Sequence, residues 1–149
     1  MEKIDYIREL IKDCRYDEAM EMLDRAMENE PNCVDYSYEL ARIFMELGNY
    51  PSAISHLELI TENVRNHLLF HMLGEAYQAD GQIDRAIGAY LKAIMLNEKF
   101  PLPYKQLGIL FMGRKDMVSA IEYFEDYLKL DVPEVEKESI AQTLKRIKK

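Results

Sequence analysis

No segment of this chain stays apolar for the length that a bilayer crossing demands. The opening MEKIDYIRELIKDC is acidic throughout and lacks an apolar run of signal-peptide length, so a soluble cytoplasmic protein with no membrane partner is the expectation. Cysteine is scarce: Cys14 and Cys33 are too few for a disulfide framework. If one helix lies between them it separates them by on the order of 20 Å, and a bridge needs Cα atoms within about 7 Å. Both are therefore expected as free thiols. Positive charge is the minority sign, with 19 Lys and Arg against 27 Asp and Glu. That balance works against nucleic-acid binding, which needs cations concentrated on one face. The one basic cluster, KRIKK, follows the acidic PEVEKE, an order that suits the two ends of a helix dipole better than a nucleic-acid or membrane tail.

Enzyme signatures are missing too. There is no phosphate-binding glycine loop, no GxSxG elbow and no Cys-His pair placed by sequence, and the carboxylates are scattered over helical segments. No catalytic residue and no cofactor is expected. His67, His71 and Glu75 share a helix face at four-residue spacing. Without an HExxH motif, and spread over two turns, they could hardly hold one ion together, so no metal site is expected. His56 belongs to another helix and reads as an ordinary, partly exposed residue.

What the chain does have is a repeat. Ala19, Ala53, Ala86 and Ala120 follow one another at steps of 34, 33 and 34 residues. The same register aligns Leu23, Leu57, Tyr90 and Phe124, then Met20, Ile54, Ile87 and Ile121, then Ala26, Ile60, Ala93 and Tyr127. Upstream, Leu40-Ala41, Leu73-Gly74 and Leu107-Gly108 match, each followed three residues later by Phe44, Tyr77 or Phe111. Gly48 and Gly81 mark turns, Pro101 starts a helix where a missing N–H is harmless, and Pro31 and Pro133 lie between helices. Apolar residues recur at three- and four-residue steps, as in IGAYLKAI, so the segments are amphipathic helices. Gly74 and Gly108 are expected to make room for large side chains, with Tyr77 and Phe111 using it. Nearly half the residues are apolar and no linker or low-complexity segment interrupts them, which is enough for one domain over 1–149.

These residues resemble the tetratricopeptide repeat family, whose pattern is a Leu-Gly pair, an aromatic, a turn Gly, an Ala, an aromatic, an Ala and a closing Pro. The first repeat departs from it at Ile7 and Cys14, the second closes with NVRNH, and the fourth has Lys115 at its turn. The resemblance implies an all-α fold, a right-handed α-α superhelix of four helix pairs at about 1–33, 34–66, 67–100 and 101–133. A capping helix at about 134–148 would place Val135, Ile140, Leu144 and Ile147 on one side to cover the end of the solenoid.

The family also implies a concave groove lined by the first helix of each pair. Projected here it takes Ile4, Arg8, Ile11 and Lys12, then Asp35, Tyr38, Arg42, Met45 and Glu46, then Leu68, His71, Glu75 and Gln78, and finally Leu102, Lys105, Ile109 and Met112. From these, Arg8, Ile11, Tyr38, Arg42, Met45, Leu68, His71, Glu75, Gln78, Lys105, Ile109 and Met112 are the expected partner-binding residues. So apolar a surface, with adaptable methionines and charges at the rim, suits a partner peptide or amphipathic helix. The alternative for Ile11, Leu68 and Ile109 is a core position reached by a one-residue shift of register. Chaperone-binding members grip a C-terminal carboxylate with a two-Lys, two-Asn, one-Arg clamp. The matching positions here are Tyr38, Arg42, Met72, Leu102 and Gln106, or Ile4, Arg8, Glu39, Leu68 and Met72, and neither set preserves it. The function expected is a non-catalytic protein-interaction scaffold. The alternatives are a dedicated chaperone for a secreted or assembling client and a self-assembling module, with a homo-oligomer as the product.

Overall fold

The computed structural model describes residues 2–149. Among them are nine helices and no strand: α1 (Lys3–Lys12), α2 (Tyr16–Asn29), α3 (Val34–Glu46), α4 (Tyr50–Thr61), α5 (His67–Ala79), α6 (Ile83–Leu96), α7 (Leu102–Gly113), α8 (Met117–Leu128) and α9 (Glu134–Ile147). None of these is long and apolar enough to cross a membrane.

Within each of the four pairs the chain reverses through one turn design. Cys14, Gly48, Gly81 and Lys115 all take a left-handed conformation, with φ of 60°, 71°, 81° and 64°. At the first turn the Cys14 N–H donates to the Ile11 carbonyl at 3.0 Å and the Arg15 N–H to that of Leu10 at 2.8 Å. Gly48 with Asn49, Gly81 with Gln82 and Lys115 with Asp116 repeat the two bonds, which satisfy carbonyls that the helix end would leave unpaired. Cys14 and Lys115 thus do the work of glycine at the two turns that depart from the family pattern. The next helix is then started by a side-chain cap in several places: Asn49 Oδ1 accepts from the Ser52 N–H, Asn66 Oδ1 from the Leu68 N–H at 2.9 Å, and Asp116 Oδ1 from the Ser119 N–H at 3.1 Å.

Close approach of paired helices rests on matched volumes. A Cβ on Gly74 would lie 2.6 Å from Cδ1 and Cε1 of Tyr90, and one on Gly108 would run into the ring of Phe124. The residues that use the glycine gaps are therefore Tyr90 and Phe124, not Tyr77 and Phe111. Gly74 and Tyr77 are three apart on one helix, so the space left at Gly74 opens toward a neighbouring helix, and it is Tyr90 of α6 that fills it. The same positions in the first two pairs hold Ile7 with Leu23 and Ala41 with Leu57, all fully buried. As the residue on the first helix shrinks from Ile to Ala to Gly, its counterpart grows from Leu to an aromatic ring.

At the C-terminal end Ile140 and Leu144 bury against Ala120, Phe124 and Tyr127, with Ile147 packed beside them. Val135 does not join this stripe and is 77% exposed. It lies five residues before Ile140, roughly 140° around the helix. Val132, just ahead of α9, is buried in the cluster instead.

The array curves. Helix α3 touches both α1 and α5, whereas among the described residues no comparable contact joins α2 to α4, α4 to α6 or α6 to α8. In the first three pairs the first helices draw together while the second helices splay apart; between α5 and α7 there is no comparable contact among the described residues.

Candidate groove on the inner face

Two hollows lie on the inner face. One, of about 480 Å³, is lined by Arg8, Ile11, Lys12, Glu39, Arg42 and Glu46 together with Cys14 and Tyr16. The other, of about 280 Å³, is lined by Met45, Glu75, Gln78, Ala79, Tyr90 and Gln106.

The first hollow is organised by a buried carboxylate. Glu39 falls on the inward side of α3 beside Leu40, and its side chain is only 3% exposed. Arg8 reaches across from α1 and donates through Nε to Oε1 at 3.0 Å, and Arg42, one turn along α3, brings Nη2 to 2.9 Å from Oε2. Arg8 also approaches Asp35 at 3.6 Å. A carboxylate withdrawn from water is tolerated because it is doubly paired. The consequence is positional: two long, half-exposed guanidinium side chains are held at fixed places at the rim.

The second hollow is organised by Tyr90. Its ring packs on Gly74, and its hydroxyl emerges between α5 and α6 to donate to Gln78 Oε1 at 2.7 Å. Burial pushes the Tyr90 phenol well above its ordinary range, with Glu75 adding to the effect, so the donor stays protonated. Gln78 is thereby oriented with its amide available to a ligand.

The expected groove residues divide as follows. Arg8, Ile11 and Arg42 share the first hollow, and Met45, Glu75 and Gln78 the second. Tyr38 is part-buried between the two: burial raises its phenol, while Glu75 pushes it further up and Arg42 opposes that. Leu68 and Ile109 remain at the surface, each 37% exposed, but Ile11 is buried in the core of the first pair. Of the three residues open to a register shift, only Ile11 is a core residue. His71 is buried as well, its ring between those of Tyr90 and Phe100 and its Nε2 3.1 Å from Glu75 Oε1. Lys105 reaches α9, where its ammonium is 2.8 Å from Glu136 and holds that carboxyl below the usual range. Met112 packs partly into the C-terminal core cluster. Tyr38, His71, Lys105, Leu68, Ile109 and Met112 line neither hollow.

Two residues were not anticipated as partner-binding residues. Glu39 reads in sequence as one more solvated helix carboxylate; the signal available was its place between Tyr38 and Leu40, on the side of α3 that must pack. Gln106 faces the second hollow from α7; like Glu39, it figures in sequence only as a position matched to the carboxylate clamp.

The three residues weighed for a metal are otherwise engaged. His71 pairs with Glu75, while His67 Nε2 turns to Asn97 Nδ2 at 3.4 Å. Burial, with His71 nearby, lowers the pKa of His67. Among the described residues no three His, Cys, Asp or Glu side chains gather as a metal site. Cys14 and Cys33 are free thiols.

Comparison with known proteins gives matches to two tetratricopeptide repeat models, over residues 10–77 and 69–100. The TPR repeat-containing protein MJ1428 of Methanocaldococcus jannaschii is 26% identical over 115 residues, covering 76% of this chain and 20% of that protein. The BBSome complex member BBS4 of Bos taurus is 30% identical over 107 residues, covering 70% of this chain and 20% of that protein. The chain therefore spans about a fifth of the length of these two relatives. Among solved structures, MamA from Desulfovibrio magneticus RS-1 superposes with a TM-score of 0.74 at 23% identity, over 86% of this chain and 73% of that one, which establishes a shared fold.

Proposed function

Because the chain belongs to the tetratricopeptide repeat family, we propose that it is a non-catalytic, cytoplasmic interaction scaffold whose inner groove receives a peptide or amphipathic helix of a protein partner. The observation that carries this reading is preorganisation. Arg8 and Arg42 are anchored by a buried carboxylate, and Gln78 is anchored by a buried phenol, before any ligand arrives. Fixing such side chains in advance removes much of the ordering cost of binding. Between these polar posts lie Met45 and Tyr38, with Leu68 and Ile109 at the margins, so the surface offers apolar anchorage and charged rims together.

An extended or helical segment with apolar residues on one side and both charge signs flanking them meets these demands. Photo-crosslinking tests the reading: a benzophenone side chain at Met45 or Gln106 should capture the partner, and one at Glu122, on the outer side of α8, should not. Capture from Glu122 alone would reject the groove as the binding surface.

A further inference from the structure

We infer that the trough between α4 and α6, on the outer face, is a second docking site, and that it receives an acidic segment of a protein partner with an apolar side chain seated beside Gly88. Two hollows of about 260 and 370 Å³ share a floor of Phe70, Leu73 and Tyr77 from α5, flanked by α4 on one side and α6 on the other. These floor residues lie on the side of α5 away from Glu75 and Gln78, so the trough and the groove are separate surfaces.

Gly88 is the first observation. It sits inside α6, where glycine is the least favourable residue after proline. Unlike Gly74 and Gly108, it has no packing reason: a Cβ added there would meet nothing within 4 Å. The repeat places Glu21, Ser55 and Glu122 at the same position of the other second helices. What the missing side chain does is leave the trough wall open above Phe70 and Leu73.

Charge is the second, independent observation. In a chain of net charge −8, acid outnumbers base, and Arg8, Arg15, Arg25, Arg42 and Arg114 each pair with a carboxylate. Of the remaining arginines, Arg65, Arg85 and Arg146 make no such pair among the described residues, and Arg65 and Arg85 line this trough together with Lys92, which is likewise without a carboxylate partner. The Lys92 ammonium lies over the Phe70 ring, 5.6 Å from its centroid. Of the two carboxylates at the rim, Glu58 already accepts the hydroxyl of Tyr77. Cations left for a ligand around an apolar floor call for carboxylates flanking an apolar residue. Nucleic acid fits less well, because Phe70 and Tyr77 are buried and offer no open face for stacking a base, whereas an aliphatic side chain needs none.

The test is to pan a random-peptide phage library on the full chain and on its Gly88→Met variant. That substitution fills the trough from a position with open space and better helix propensity, so the melting temperature should hold or rise. Peptides selected on the parent chain should share an apolar residue between Asp or Glu residues. They should shift the backbone amides of Phe70, Tyr77, Gly88 and Lys92 in a titration, and lose at least tenfold in affinity on Gly88→Met and on Lys92→Glu. The inference is overturned if no peptide distinguishes parent from Gly88→Met, if the selected peptides shift only Met45 and Gln78, or if a uridine-rich RNA displaces them from the trough. It is also overturned if the chain's mass rises with concentration and Gly88→Met abolishes the rise, which would make the occupant a second copy. Gly88 and Lys92 line neither groove hollow, so failure of these two variants leaves the groove reading to its own test.

Discussion

The hydroxyl of Tyr90 donates to Gln78 at 2.7 Å, joining a residue that fills the framework to one that faces the groove. The same ring occupies the space kept open by Gly74. Tyr90→Phe should therefore preserve packing and cost about 1 kcal/mol, the net value of one hydrogen bond, while releasing Gln78. Gly74→Ala should cost more, about 1–3 kcal/mol, because it forces the ring aside in a filled core. Urea denaturation of both variants measures the difference, and equal losses would mean that the ring is not confined as described.

The left-handed turns make an opposite pair of expectations. Cys14 and Lys115 hold a conformation that costs a residue with a Cβ about 1–2 kcal/mol, so Cys14→Gly and Lys115→Gly should each stabilise the chain by about 1 kcal/mol. Gly48→Ala and Gly81→Ala should destabilise it by a similar amount. Thermal unfolding of the four variants reads the sign directly.

Glu39 should be the costliest carboxylate to remove. Glu39→Ala leaves Arg8 without its hydrogen-bond acceptor and Arg42 without its ion-pair partner, and is expected to cost about 2 kcal/mol, as for a hydrogen bond to a charged group. Asp35→Ala, at an exposed pair of 3.6 Å, should change stability by under about 0.5 kcal/mol. A chemical-denaturation midpoint that moves equally for both would refute the role given to burial.

Alkaline pH should destabilise the protein through Tyr77. Burial, reinforced by the Glu58 carboxylate, pushes its phenol up to about 12, against about 10 in an unfolded chain. A raised folded value favours the folded state fully below about pH 10, and the contribution is lost as pH climbs toward 12. Tyr90 is raised as well, so Tyr77→Phe should reduce the slope of stability against pH in that window without abolishing it. On the acid side burial lowers His56, so its contribution is present above about pH 6.5 and fades as pH falls through the lowered value.

Much of the fold was legible because its physics is local and repeated. Columns of alanine, of Leu-Gly and of aromatic residues are the direct trace of helices that must approach closely, and those columns are visible in one sequence. What the columns do not say is which large residue answers which small one. Tyr77 is nearer to Gly74 in sequence, yet Tyr90 fills its space, because complementarity runs between helices. Cys14 and Lys115 looked like departures from the pattern, but the turn constrains φ rather than residue type, and both adopt it. Val135 falls off the buried stripe because a shift of about 100° per residue separates core from surface, and Ile11, open in sequence to either reading, is buried while lining the first hollow. In the groove, the arginines and Gln78 could be named from their register. The residues that hold them could not, because Arg8 to Glu39 is a contact across 31 positions that no periodicity records.

The central claim is that the inner groove carries the partner, and its most direct test is the dissociation constant of a protein that crosslinks there, measured with the parent chain and with Met45→Ser/Gln78→Ala. Both side chains are part-buried at the surface of the first-helix layer, so circular dichroism should confirm that the double variant still folds. The account predicts at least a tenfold weaker complex, about 1.4 kcal/mol. An unchanged dissociation constant for every crosslinked partner, with the fold intact, would contradict it.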